Sequence, residues 1–550
     1  MAEHCDVVIM GGGLAGLTLA LQLRQRFPAL EVTVLERARH PVPAATHKVG
    51  ESLVEIGAHY LGTVLGLEAH LSSRQLRKFG FRFFLSDGRL DVDQVSEVGI
   101  TRHFPIRTYQ IDRGIFENAL AQEVRASGMR FLDGAVVRDF TIAEPGSGAD
   151  HEVLYERTGA QGDTQCRIRA RWLIDASGRA GLVKRRLGLE EPNEHEANGV
   201  WFRIGTPIDV DDWSHDRAWL ARCAPRHRWL STSHLVGEGY WVWLIPLASG
   251  SHSVGIVSDP RVHPLGSMNT FERAMQWLGR HQPRLARDLE ARRDQLQDFR
   301  YLRRFSYGCK QVFSGSRWAT TGEAGVFLDP LYSPGCDFIA ISNTFITELV
   351  ARDLAGEPVA PYARLYGQLY LSFYRSTLSL YVDQYAILGD PEVLPFKVYW
   401  DYSYYWGVLC QLFFHGRLTD TSVMGSLRGE LAATYELNQA MQRFLRAWSS
   451  VSAKRNGASL VDQNALDWFV ELNRGLEDRL DEAGFKSRLR ETAALLHGLA
   501  EAIVGRASND YPGLDVGALR ALIDARQRRY GSLPRVPLFP DEQRSAVPVS

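Results

Sequence analysis

The sequence predicts an α/β fold in three parts: a βαβ unit at the head of the chain, an inserted β-sheet region, and a mainly helical C-terminal domain. Three observations predict it. Residues 5–10 (CDVVIM) and 31–36 (EVTVLE) are apolar runs of strand length, and Leu17–Phe27 between them places Leu and Ala on one helix face. Residues 197–260 are dense in strand formers, as in GVWFRIG, GYWVWLIPL and SHSVGIV. From about residue 360 onward the text reads as helix, strongly aromatic between Tyr366 and Phe414 and charged and amphipathic later.

Size and composition narrow the classes. A chain of 550 residues with 45% apolar and 23% charged residues has the material for two or three packed domains. A formal net charge of −1 offers no basic surface for nucleic acid. The six cysteines are scattered without a CxxC pair, so no metal site or disulfide framework is expected, and reduced thiols suit a cytoplasmic protein. The apolar start, Val7–Leu21, has acidic residues before it and three glycines within it, which fits a buried strand and turn better than a signal peptide. No run of about 20 uninterrupted apolar residues exists to form a transmembrane segment. The tail after Ser532 holds four prolines and is expected to be a loose strap.

The turn between the first strand and helix is Gly11-Gly12-Gly13-Leu14-Ala15-Gly16, which fits G-x-G-x-x-G. Gly11 permits the tight turn, Gly13 lets the backbone approach a pyrophosphate, and Gly16 lets helix pack on strand. The helix start at Leu14 and Ala15 offers N–H groups to phosphates. Glu36 closes the second strand, followed by Arg37, and a carboxylate there accepts from ribose hydroxyls. This is a Rossmann-like dinucleotide site. No second Gly-rich fingerprint follows, so no built-in nicotinamide domain is expected.

Two later segments tilt the dinucleotide toward FAD. Trp172–Arg179 is an apolar strand ending in Asp175-x-x-Gly178, and Trp318–Pro330 contains Gly322-Glu323 and Asp329. Both resemble secondary motifs of the glutathione-reductase-type FAD fold. There the second motif is usually Gly-Asp, so either Glu323 or Asp329 could take the ribityl contact. Read singly, Asp175 is equally a helix cap and Asp329 a turn residue. Gln110 and Arg113, in Tyr-Gln-Ile-Asp-Arg, resemble a flavin-contacting segment, although Arg113 reads equally as a surface residue.

Residues 241–246 read Trp-Val-Trp-Leu-Ile-Pro, and 327–335 read Phe-Leu-Asp-Pro-Leu-Tyr-Ser-Pro-Gly. These resemble the W-x-W-x-I-P and F-x-x-P-x-x-S-x-G signatures of flavin-dependent halogenases. His47–Ser52 resembles the loop after their first βα unit, with Ser52 beside the flavin. Over residues 1–350 the resemblance implies an FADH2- and O2-dependent halogenase placing chloride or bromide on an electron-rich aromatic metabolite. In that family hypohalous acid travels to an essential Lys, and two Trp screen the flavin from the substrate. Lys78 and the pair Trp241 and Trp243 would fill those roles. A solvated Lys beside Arg74 and Arg77, and a pair of core tryptophans, are the plain alternatives. The flavin would be reduced by a separate flavin reductase, by transient NAD(P)H binding or by the substrate itself, and the resemblance also implies halide as co-substrate and a halide site at Ser333 and Gly335.

Pro334 departs from the pattern because it removes a backbone donor. Either the halide site is rearranged or the chain runs another flavin reaction, as a monooxygenase or oxidoreductase. Tyr332 stands where tryptophan halogenases carry Glu, which points to a phenolic, pyrrolic or carrier-tethered substrate. A non-catalytic FAD-bound interaction protein is a third class, with the aromatics of 366–414 as docking face, tunnel wall or core. The implied boundaries are 1–195 with 300–358 for the FAD-binding part, 196–299 for the sheet region, and 359–550 for the helical domain.

Overall fold

A computed structural model describes residues 3–44, 48–85, 91–144, 148–159 and 162–544. His47, expected in the loop after the first βα unit, lies outside the described residues. The chain divides into two units. The first holds residues 1–75, 111–194 and 305–374, and the second 76–110, 195–304 and 375–550. The segment 76–110, expected with the FAD-binding part, therefore groups with the sheet and the helical region.

In the first unit the expected βαβ forms as β1 (Glu3–Met10), α1 (Leu14–Arg26) and β2 (Val32–Glu36). A seven-stranded sheet runs Arg130–Asp133, β2, β1, Gly162–Asp175, His151–Gly159, Ala135–Thr141, with Trp318–Thr320 added to the Gly162–Asp175 strand. β1 is parallel to β2 and to Gly162–Asp175, which is parallel to Trp318–Thr320. The register aligns Leu35, Met10, Asp175 and Thr320 across four strands. Four carboxyl ends thus open at one edge, where parallel sheets bind ligands. The helix expected over Asn343–Leu354 begins at Gly335 and runs to Leu354. The Gly/Pro text before it reads as loop, but Pro334 takes the N-cap with φ −74°, an angle its ring favours.

In the second unit an eight-stranded sheet runs Leu296–Leu302, Asn198–Ile204, His252–Ser258, Tyr240–Pro246, Thr232–Gly237, Phe81–Leu85, Ser96–Gly99, Leu460–Asp462. Val200, Phe202, Val242, Leu244, Val254 and Ile256 pack with Trp277, Leu278, Leu285 and Leu289 of two helices, Phe271–His281 and Pro283–Glu290. Trp241 and Trp243 alternate with Val242 and Leu244, so they face the other side. The later chain is mostly helical, with long helices at Arg428–Val451 and Glu482–Asp510. Leu460–Asp462 is an exception, a short strand parallel to Ser96–Gly99. The tail after Ser532, expected as a loose strap, is anchored over residues 534–538. Val536 and Leu538 are buried, Trp468 Nε1 donates to the Pro537 carbonyl (2.9 Å), and Gly498 leaves room for the Pro534 carbonyl.

Candidate functional site: a dinucleotide edge and a buried lysine

The glycines of the first turn do different jobs. Gly11 has φ +122°, and a Cβ there would lie 2.2 Å from the Ala176 carbonyl oxygen. A Cβ on Gly16 would lie 2.0 Å from the Gly11 carbonyl oxygen. Both contacts are to backbone, so neither position accepts a side chain. A Cβ on Gly13 would meet nothing within 4 Å. The space beside Gly13 is therefore open, as a pyrophosphate passing the start of α1 requires. The first intrahelical bond is Leu17 N–H to Gly13 carbonyl, which leaves the N–H groups of Leu14, Ala15 and Gly16 without helical acceptors. Glu36 accepts from Gly12 N–H (2.7 Å) and Ala38 N–H (2.7 Å), and exposed Arg37 follows it. These groups fit a dinucleotide.

The other expected cofactor residues divide. Asp175 is fully buried and its two oxygens accept from Ser177 N–H (3.0 Å) and Val183 N–H (2.7 Å). Asp175, expected among the cofactor residues, closes the turn that carries Gly178, which has φ +61°. Asp329 is buried and accepts from Leu331 N–H (2.9 Å), a turn role. Glu323 differs. Its side chain is 38% exposed and lies 3.9 Å from an Arg179 nitrogen. Gly322 stands against Ala15, its Cβ position 3.0 Å from the Ala15 Cβ, so the Glu323 turn abuts the start of α1.

Arg113 donates to the Val49 carbonyl (2.5 Å) and pairs with buried Glu117, which also binds Lys48. It ties down the loop that leads to buried Ser52. Gln110 is held within the second unit. It is fully buried, donates from Nε2 to the Leu230 carbonyl (2.9 Å) and accepts from Thr232 Oγ1 (3.2 Å). One N–H and one lone pair of its amide remain beyond these two bonds. Sequence reading missed Asn343. Its amide donates to the Ala15 carbonyl, Thr18 and Tyr60 and accepts from Thr321, joining α1 to the Gly335 helix. A polar residue at a core-facing helical position was its only signal.

Lys78 is no surface lysine. It is 3% exposed, and its Nζ sits 3.4 Å from the centroid of the Phe81 ring. Ring contacts continue from there: Phe81 to His234 at 5.3 Å, His234 to Trp241 at 5.5 Å, Trp241 to Trp243 at 5.6 Å. Burial pushes His234 down to about 3, with the Lys78 charge adding to the effect, so the imidazole is neutral at ordinary pH. It stacks on Phe83 at 4.5 Å. Trp241 Nε1 donates to Tyr385 Oη (3.1 Å) and Trp243 Nε1 to Ser253 Oγ (3.1 Å). His234, Tyr385 and Ser253 were not legible as site residues, because they come from other strands and a distant helical segment.

Trp243 lies flat on Gly255 of the next strand, where a Cβ would be 2.1 Å from its ring. Gly255→Ala should therefore push the indole out of place. The expected cost is about 1–3 kcal/mol of stability, as for overpacking, with a changed tryptophan emission spectrum. Urea unfolding followed by fluorescence measures both, and unchanged values would contradict the packing.

The turn before the Gly335 helix is strained. Ser333 N–H donates to the Pro330 carbonyl (2.9 Å), and Tyr332 and Ser333 both have positive φ (64° and 55°). Such non-glycine positions cost of order 1 kcal/mol or more each. Ser333 N–H is thus occupied and Pro334 has none. Gly335 N–H and Cys336 N–H are the first donors left at the helix start.

Comparison with known proteins agrees with this geometry. Residues 4–252 match the FAD binding domain family. The flavin-dependent halogenase chlA of Dictyostelium discoideum is 26% identical over 469 residues, covering 79% of this chain and 76% of that one. The 1H-pyrrole-2-carbonyl-(peptidyl-carrier protein) chlorinase of Pseudomonas fluorescens is 26% identical over 359 residues, covering 61% and 73%. Among solved structures, halogenase PltM superposes with a TM-score of 0.62 at 17% identity, over 90% of this chain and 96% of that one. The brominase Bmp2 superposes with a TM-score of 0.54 at 22% identity, over 70% and 87%. The open Gly loop, the FAD-binding domain matched over residues 4–252 and these relatives together support an FAD-binding enzyme of flavin-dependent halogenase type.

Proposed function

We propose that this protein places chloride or bromide on an electron-rich aromatic carbon, with Lys78 passing the halogen to the substrate. FAD, when bound and reduced, supplies the electrons that activate oxygen so that halide can be oxidised. A separate flavin reductase supplies that reduced FAD, consistent with the single dinucleotide fingerprint. Lys78 carries the reading. Its amine is withdrawn from water onto the Phe81 ring, at one end of a run through His234 to Trp241 and Trp243. In such surroundings an amine reacts as a nucleophile toward electrophilic halogen without hydrolysis competing. The Trp pair, held by Tyr385 and Ser253, forms a rigid apolar wall that limits direct oxygen transfer to the substrate. Gly335 N–H and Cys336 N–H take the halide in place of Ser333.

The relatives named for pyrrole-2-carbonyl carrier substrates support a carrier-tethered aromatic acyl group. Tyr332, where tryptophan halogenases carry Glu, supports the same direction. A second reading is flavin-dependent monooxygenation, favoured by the occupied Ser333 N–H and the missing donor at Pro334. The deciding experiment supplies reduced FAD, oxygen and a pyrrolyl or phenolic substrate, free or carrier-bound, with chloride, bromide or no halide. Halide-dependent mass shifts are expected. Hydroxylated product made equally without halide would overturn the proposal in favour of the second reading.

A further inference from the structure

We infer that Ser231 is a positioning residue for Lys78, and that a buried four-charge cluster behind Ser231 exists to hold it in place. The inference rests on the reading of Lys78 given above. Lys78 stands on a short bridge, Lys78-Phe79-Gly80, between the strands Leu76–Arg77 and Phe81–Leu85. Gly80 turns that bridge with φ +61° and packs against Ile100. Three of the six backbone N–H and C=O groups of the bridge are held by residues 230–232. Phe79 N–H donates to the Leu230 carbonyl (2.9 Å), Ser231 Oγ donates to the Phe79 carbonyl (2.9 Å), and Thr232 N–H donates to the Gly80 carbonyl (3.1 Å). Lys78 N–H donates to the Thr108 carbonyl (2.9 Å). Of the bonds that residues 230–232 make to the bridge, the Ser231 bond is the one made by a side chain.

Ser231 Oγ also accepts from Arg82 Nε (3.3 Å). Arg82 pairs with Glu97 and donates to the Ile100 carbonyl (2.5 Å), and Glu97 accepts from Arg228 Nε (2.9 Å). Arg228 reaches Asp211 (2.9 Å) and the Trp219 carbonyl (2.9 Å) and stacks on the Trp219 ring at 3.9 Å. All four charged side chains are fully buried. Burial opposes ionisation of Glu97, but Arg82 and Arg228 hold its carboxyl below the usual range, so the cluster stays charged and electrically balanced.

A buried ion cluster contributes little net stability relative to apolar packing, and its directional bonds are its use. Here those bonds run from two strands, through the turn holding Arg228 and Ser231, to the carbonyl next to Lys78. The amine lies at the end of a flexible four-carbon stem, so its aim depends on the backbone beneath it. Small misplacement of a reacting group carries a large rate cost. Ser231 thereby couples a rigid core to the group that must meet both the oxidised halogen and the aromatic carbon.

The test uses the FAD-loaded full chain and compares Ser231→Ala and Ser231→Thr with the wild type. Product is counted against reduced FAD consumed in the presence of halide, beside FAD content, melting temperature and substrate KM. Ser231→Ala is expected to retain FAD, oxidise reduced FAD at the normal rate, keep KM within about 2-fold, and yield about 10-fold less product per FAD. Ser231→Thr keeps the hydroxyl and is expected to recover most of that coupling. Unchanged coupling in Ser231→Ala would overturn the inference. So would a parallel fall in FAD oxidation and product with a lowered melting point, which describes general structural damage. A Lys78→Ala control separates the two claims: if it halogenates normally, the role of Lys78 itself fails.

Discussion

Lys78→Ala is expected to leave FAD bound and to lower halogenated product by roughly three orders of magnitude or more, as removal of a nucleophile does elsewhere. The expectation follows from geometry. Lys78 is buried, its Nζ is 3.4 Å from the Phe81 centroid, and its backbone is fixed by Thr108. The proposed transfer has no substitute amine in the ring run that follows, whose members are Phe81, His234, Trp241 and Trp243. His234 is neutral and already bonded to the Arg82 carbonyl (3.3 Å). Lys78→Met should behave alike while filling the space, which removes a cavity as the explanation. Lys78→Arg keeps a charge but presents a planar fork in place of a nucleophilic amine, so it should not rescue. Yellow, folded and fully active Lys78→Met enzyme would remove Lys78 from the mechanism.

The second large effect lies in the first turn, where two glycines should fail in different ways. Gly13→Ala meets no protein atom within 4 Å and should fold normally. Its methyl group would occupy the open space at the start of α1 that a pyrophosphate needs, so FAD affinity should fall about 100-fold, near 2.7 kcal/mol. Gly11→Ala must take φ +122° and place Cβ 2.2 Å from the Ala176 carbonyl oxygen. It should lose both FAD and stability, since the clash is with backbone that cannot move aside. Flavin absorbance and thermal melting of the two purified variants read the contrast. Retained FAD in Gly13→Ala would place the dinucleotide elsewhere.

Glu323 shows how a departure from a family pattern can be weighed. The sequence offers Glu323 and Asp329 for one role. Asp329 closes a turn on Leu331 N–H, whereas the Glu323 carboxyl lies 3.9 Å from Arg179, in the turn that abuts the start of α1. Spacing along the chain could not separate them, because what distinguishes them is which oxygens the surrounding backbone has already taken.

The local parts of this protein were determined by the sequence alone. A strand, a glycine turn and a helix obey rules that act over a few residues, so Glu3–Glu36 and its dinucleotide loop are readable without neighbours. Trp241 and Trp243 share a face for the same reason, since side chains alternate along any strand. Only the tertiary structure decided the rest. Residues 76–110 joined the sheet unit because Phe81–Leu85 pairs with Thr232–Gly237, some 150 positions away. Gln110 is bonded to Leu230 and Thr232, 120 and 122 positions away. Lys78, between Arg77 and Phe79, has charged and apolar neighbours in sequence and reads as easily exposed as buried. Its burial, and the serine and four charges arranged behind it, depend on contacts between strands far apart in the chain. Such contacts leave no periodic trace, because each residue's partner is set by how the strands pair and not by its own segment.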